Sequence, residues 1–202
     1  MLAIVGNGMV GKDQAKLIDA CDLVIRFNEW KNYGENCGQR VDVLCICNTG
    51  NPARDFIRRA CIRKAPFYDL VSEIWFPRDS SVHKEHAKVF APSYPARKFD
   101  DQSDLLVASN ALSAKRIVRF SRETNQRVFQ ALRARARQPF TCPSTGMLGI
   151  DYVLTEPRFA DYKKNLFGFG FQGWEGHPWE AEQEQVKHYC SVREDVLFWK
   201  SP

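Results

Sequence analysis

The residues best suited to chemistry fall in two short motifs. Val5-Gly6-Asn7-Gly8-Met9-Val10-Gly11 follows an apolar run and fits G-x-G-x-x-G. Glycines there permit a tight turn and close backbone approach, and a helix start behind them would present free N–H groups to a phosphate. Asn7 sits inside this turn, and Asn28 closes the next apolar run in Arg26-Phe27-Asn28. Adjacent parallel strands end on one edge of their sheet, so the two amides can meet at one site, each able to donate and accept. The second motif is Pro143-Ser144-Thr145-Gly146, ahead of a helix-periodic stretch from Met147. Two hydroxyls beside unpaired helix N–H groups form an anion-binding arrangement. Each motif also has a plainer reading: a glycine turn with no ligand, strand-end capping by Asn28, N-capping by Ser144 or Thr145. Glu29, near the end of the second strand, keeps a dinucleotide site open, since an acidic residue there binds ribose.

These motifs need elements to position them. Leu2 to Val5, Leu23 to Phe27 and Val41 to Cys47 are short apolar runs that read as buried strands. Lys12 to Ala20 has helical spacing between the first two. Such alternation predicts an α/β fold, a Rossmann-like and mostly parallel sheet flanked by helices. Further along, 51–63 reads as helix and Ile74-Trp75-Phe76 as a strand ended by Pro77. The segment 79–104 reads as loop with a short strand near Val89, and 110–137 as two helices. A helix from Met147 turns Ile150, Val153 and Leu154 inward. A strand ends at Phe169, a helix spans Trp179 to Tyr189, and a last strand covers Val196 to Trp199. No linker or repeat appears, so one domain over residues 1–202 is expected.

Composition narrows the class. Hydrophobic residues make up 44% and charged residues 26%, as in an ordinary globular chain rather than a disordered one. The net charge of +5 suits an anionic ligand but is too small to indicate nucleic acid. The seven cysteines contain no CxxC pair and read as reduced, buried thiols. With no leader-like segment after Met1 and no apolar run of membrane-spanning length, a cytoplasmic location is expected. His83 and His86 lack a third ligand for a metal.

Taken together, the segments resemble a known family. Ile4 to Gly8, Asp22 to Asn28 and Gly38-Gln39-Arg40-Val41-Asp42 look like the large sialyl motif of the family 29 sialyltransferases. Pro143 to Gly146, then Gly149 and Gly168-Phe169, resemble the small sialyl motif. His177-Pro178-Trp179-Glu180-Ala181-Glu182 is similar to the very short motif. The resemblance implies an inverting, metal-independent glycosyltransferase. It would move an acidic sugar from a CMP-sugar donor to a glycan or other hydroxyl, with no further cofactor. Gly6, Asn7, Gly8, Asn28, Ser144, Thr145 and Gly146 would hold the nucleotide. His177 would deprotonate the acceptor hydroxyl, as an imidazole titrating near neutrality can, and Glu182 would orient its helix or the imidazole. Arg26 and His188 are secondary candidates; His188 also reads as a helix-surface residue. The alternatives are a non-catalytic nucleotide-binding accessory protein on the same site and an NAD(P)-dependent oxidoreductase.

Two surface features complete the reading. Lys115, Arg116, Arg119, Arg122, Arg127, Arg133, Arg135 and Arg137 form a basic stretch with only Glu123 opposing in sequence. It reads as a solvated face or as an attractor for an anionic surface. Trp174, Trp179 and Trp199 read as core packing or as the lining of a sugar pocket.

Overall fold

The computed structural model describes residues 1–199 apart from Lys12, Asn32, Glu35 and Asn36, so the expected helix start at Lys12 lies outside the described residues. In chain order the elements are β1 (Leu2–Val5), α1 (Gln14–Asp19), β2 (Leu23–Phe27), β3 (Val43–Cys45), α2 (Gly50–Arg59), β4 (Glu73–Phe76) and α3 (Ser80–Phe90). There follow α4 (Ser103–Ser109), β5 (Arg116–Arg119), α5 (Arg122–Arg133), α6 (Thr145–Thr155), β6 (Lys164–Phe167), α7 (Trp179–Val192) and β7 (Val196–Phe198).

Among the described residues these strands form one seven-stranded sheet in the order β5-β4-β3-β2-β1-β6-β7, and each pairing is parallel. The chain winds outward from β1 to β5, then returns to place β6 and β7 on the other side of β1. β1 therefore sits between β2 and β6, with Ile4 opposite both Ile25 and Leu166. All four of its residues are buried, as expected of a strand covered on both faces. One large apolar cluster fills the face under α3, α5, α6 and α7, and two smaller ones fill the other.

Three segments differ from the sequence reading. Residues 79–104 hold helix α3, a 3-10 turn at Ala96–Phe99 and the first residues of α4, rather than a loop with a strand near Val89, which is exposed. Asp79 caps α3 by accepting from Val82 N at 3.0 Å. The inward face of α3 is Val82, His83, His86 and Ala87. Two of these four are histidines, which read as polar, yet His83 packs on Phe99 and Phe129, and His86 on Phe90, Phe129 and Phe140. The first of the two helices expected in 110–137 is instead a 3-10 turn, Leu112–Ala114, and edge strand β5. Its β-branched pair Ile117-Val118 favours the strand, and the flanking arginines suit an exposed edge. The strand expected over Val41–Cys47 is shorter, at Val43–Cys45.

Candidate functional site

A cavity of about 340 Å³ opens at the carboxyl end of the sheet, beside the junction of β1 and β6. Strand order reverses there, and open α/β sheets bind ligands at such points. The loops after β1, β2 and β6 form its floor. The starts of α6 and α7 and Arg78, just past β4, form its walls.

The glycines of the first motif serve packing. Gly6 N–H donates to Phe167 O and Gly8 N–H to Gly168 O, both at 2.8 Å. A Cβ on Gly6 would lie 2.4 Å from Gly168 O, and one on Gly8 2.7 Å from it. The loops after β1 and β6 thus touch backbone to backbone, which requires glycine. Gly11 N–H donates to Gln14 Oε1 at 3.1 Å. Glu29 pairs with Lys31 at 3.3 Å and lines a neighbouring cleft. Those glycine contacts give the dinucleotide reading no support.

Both asparagines line the cavity and tie strand ends together. Asn7 Nδ2 donates to Phe27 O at 3.0 Å, and its Oδ1 accepts from Lys31 N at 2.9 Å. Asn28 adopts φ 45°, in the left-handed region that asparagine tolerates. Its Oδ1 accepts from Cys47 N at 2.8 Å, and its Nδ2 has no protein acceptor among the described residues.

At the start of α6, Ser144 is fully engaged. Its Oγ accepts from Met147 N at 3.0 Å, the N-cap bond. Its N–H and its Oγ–H each donate to one oxygen of Glu182 at 2.7 Å. Thr145 and Gly146, in the first turn, present N–H groups that have no acceptor within the helix. Glu182 therefore fastens α7 to α6 rather than orienting the imidazole. Burial pushes its carboxyl up to about 7, against the Ser144 bonds and Arg78 that favour the anion.

His177 lies in the cavity wall between Trp174 and Trp179, whose rings meet it edge-on at 4.9 and 5.0 Å. Its Nδ1 is 2.8 Å from Cys142 O, so that nitrogen carries the proton and Nε2 is left as an acceptor. Burial first, and then Arg78, lower its pKa to about 4. Trp199 is remote from the cavity and stacks on Phe167.

Sequence reasoning missed Arg78. It stands two residues beyond β4, on the ligand-binding edge of the sheet, and lines the cavity. The one available signal was its place just after an apolar run ended by Pro77. Its Nη1 donates to Thr49 Oγ1 at 2.9 Å. Its Nε is buried without a partner, and among the described residues no carboxylate lies within ion-pair distance of it.

Other candidates lie elsewhere. Arg26 is 1% exposed and donates to the carbonyls of Cys37, Gly38 and Arg40, holding a loop. His188 is on the exposed face of α7, away from the cavity. The basic stretch is compensated from elsewhere in the chain: Arg116 pairs with Glu73, Arg119 with Asp104, Arg122 with Glu85 and Arg127 with Asp151. Among the described residues no group of three His, Cys, Asp or Glu could hold a metal, and no helix is long and apolar enough to cross a membrane.

Comparison with known proteins revises the functional expectation. No family model matches the chain. Two solved mammalian sialyltransferase structures superpose on all of it, at TM-scores of 0.57 and 0.58 and identities of 18% and 20%. One is a complex with Gal-beta-1-3GalNAc-ortho-nitrophenol, and the chain covers 69% of each. At such identity the likeness shows a sialyltransferase-like fold. In sequence the chain is 32% identical over 190 residues to the urease operon 23 kDa accessory protein of Rhizobium meliloti (strain 1021), covering 92% of this chain and 87% of that one. The expectation of a sugar-transferring enzyme is thereby corrected, because this much nearer relative is an accessory protein. With a third of its residues shared along almost its whole length, the chain belongs to the family of the urease operon 23 kDa accessory protein.

Proposed function

We propose that the protein is a non-catalytic nucleotide-binding accessory protein of a urease system, with one nucleotide seated in the cavity between the β1, β2 and β6 loops. The observation that carries this reading is the cavity's chemistry, which is rich in hydrogen-bond donors and poor in bases. The first-turn N–H groups of α6, the Asn28 amide and Arg78 all border it. Its imidazole, with a pKa of about 4, is a weak base for a hydroxyl at neutral pH, where efficient bases have pKa values near 7. The carboxylate beside it is bound to Ser144. A volume of about 340 Å³ lies near the lower end of small-molecule pockets, about 300–1,000 Å³, and suits one mononucleotide. The accessory role and its connection to a urease rest on the relative's name.

Thermal unfolding with CMP, other nucleoside monophosphates, cytidine, NAD and NADP tests the binding. A ligand at 100 times its Kd stabilises by about 2.7 kcal/mol, a shift of roughly 5–10 °C for a chain of this size. Nucleoside monophosphates should give that shift, and cytidine should not. Incubation with a CMP-linked sugar should release no CMP above the buffer rate. Absence of a shift with every nucleotide would refute the binding, and measurable CMP release would refute the non-catalytic role.

A further inference from the structure

We propose that Arg78 is a preset anion anchor, a guanidinium fixed at the cavity wall to take a tetrahedral oxyanion such as the phosphate end of the ligand. The inference rests on the nucleotide reading for the identity of that ligand, but not for the anion site itself.

The backbone around Arg78 is clamped from both sides by buried amides. Asn48, 2% exposed, donates from Nδ2 to Arg78 O and accepts at Oδ1 from Arg78 N, both at 3.0 Å. The second proton of that Nδ2 goes to Asp101 Oδ1 at 2.8 Å. Asn125, 0% exposed, donates to Pro77 O at 3.0 Å and accepts from Asp79 N at 3.2 Å. Two side chains, one from the loop after β3 and one from α5, thus hold three successive residues as a strand neighbour would. Thr49 fixes the guanidinium through Nη1.

A cation partly withdrawn from water is usually paired, since desolvating it is costly, yet among the described residues no carboxylate pairs with Arg78. The carboxylate it feels in the cavity, Glu182, has both oxygens bound by Ser144. Arg78 and the first-turn N–H groups of α6 border the same volume. A planar guanidinium opposite a helix start is complementary to a phosphate or sulfate, which accepts from both.

Calorimetric titration of the full chain with sodium sulfate, inorganic phosphate and CMP tests this. Sulfate and phosphate should bind the wild type, and Arg78→Met should weaken both by roughly 10–100-fold, as loss of charge-assisted bonds does. Arg78→Lys, which keeps the charge without the fork, should fall between. Asn48→Ala should also lose sulfate affinity when measured far below its unfolding temperature, where a purely structural role would leave affinity unchanged. No sulfate binding by wild type, or equal binding by folded Arg78→Met and Arg78→Lys, overturns the anchor. Sulfate that depends on Arg78 while CMP fails to bind keeps the anchor and removes the nucleotide. CMP binding indifferent to Arg78 does the reverse.

Discussion

Glu182 and His177 border one cavity, and burial shifts them in opposite directions. Glu182 rises to about 7 and His177 falls to about 4, so burial favours the neutral form of each. The raised carboxyl means that the folded chain holds this proton more tightly than the unfolded chain. Its contribution to stability is complete below about 4.5 and is lost as pH rises to about 7. The lowered imidazole acts oppositely: its contribution is complete above about 6.5 and is lost as pH falls toward 4. The buried His83, also lowered, adds to that acid-side loss. Glu182→Gln removes the first titration and leaves the histidines in place. The stability difference, variant minus wild type, should therefore grow by on the order of 3 kcal/mol from pH 4.5 to pH 7.5. Urea unfolding at each pH measures it, and a difference that stays flat would sink the assignment. Residue types in the two motifs were legible in the sequence, but their partners were not. Asn7 and Ser144 reach the cavity wall as anticipated, yet their polar atoms are spent on Phe27, Lys31, Met147 and Glu182. One sequence shows which groups can donate, not which neighbour takes the bond.

Among the elements, the glycine turn after β1 shows how one pattern can serve two purposes. Glycines at 6 and 8 would also be required by a phosphate, but the backbone they meet here is Gly168. Gly6→Ala must push a Cβ against a carbonyl oxygen 2.4 Å away, and neither partner is a flexible side-chain end. It should destabilise the chain by about 1–3 kcal/mol. Gly11→Ala meets nothing closer than Gln14 Cδ at 3.4 Å and should stay within roughly 0.5 kcal/mol. Equal effects of the two substitutions on Tm would contradict this packing role. The strands next to this turn were legible because buried parallel strands are continuous apolar runs with clear ends: β1 and β2 have the bounds expected of them. α3 was not, because half of its inward face is histidine, made acceptable by a cage of phenylalanines that sequence spacing does not reveal. β5 was hidden by its arginines, whose carboxylates come from β4 and α4.

For the molecule as a whole, the site is a product of topology. Residues 6–8 and 168–172 face one another because β6 pairs with β1 across most of the chain's length. The sequence motifs anticipated the fold class, and the family resemblance set residues 6–8 and 144–146 around one ligand, but neither set 168–172 against 6–8. The chemistry done there did not follow, since one fold carries unrelated functions. The helices that carry the second half of the site are joined by Asp151 on α6, which is 1% exposed. Its Oδ2 accepts from Arg127 of α5 at 2.9 and 2.6 Å, and its Oδ1 from the Tyr189 hydroxyl of α7 at 2.7 Å. Asp151→Ala would leave the Tyr189 hydroxyl without its acceptor. It would also free Arg127, whose side chain is 42% exposed and can turn to water. That escape lowers the cost from the range for breaking a fully buried pair to roughly 2 kcal/mol. The urea midpoint should fall with an unchanged m-value, as for a native state that loses contacts without changing its compactness. Asp151 lines no part of the cavity, so sulfate affinity measured well below that midpoint should match wild type. Lost affinity with full stability would mean that the three-helix tie sets the geometry of the site itself, rather than holding together the layer on which it stands.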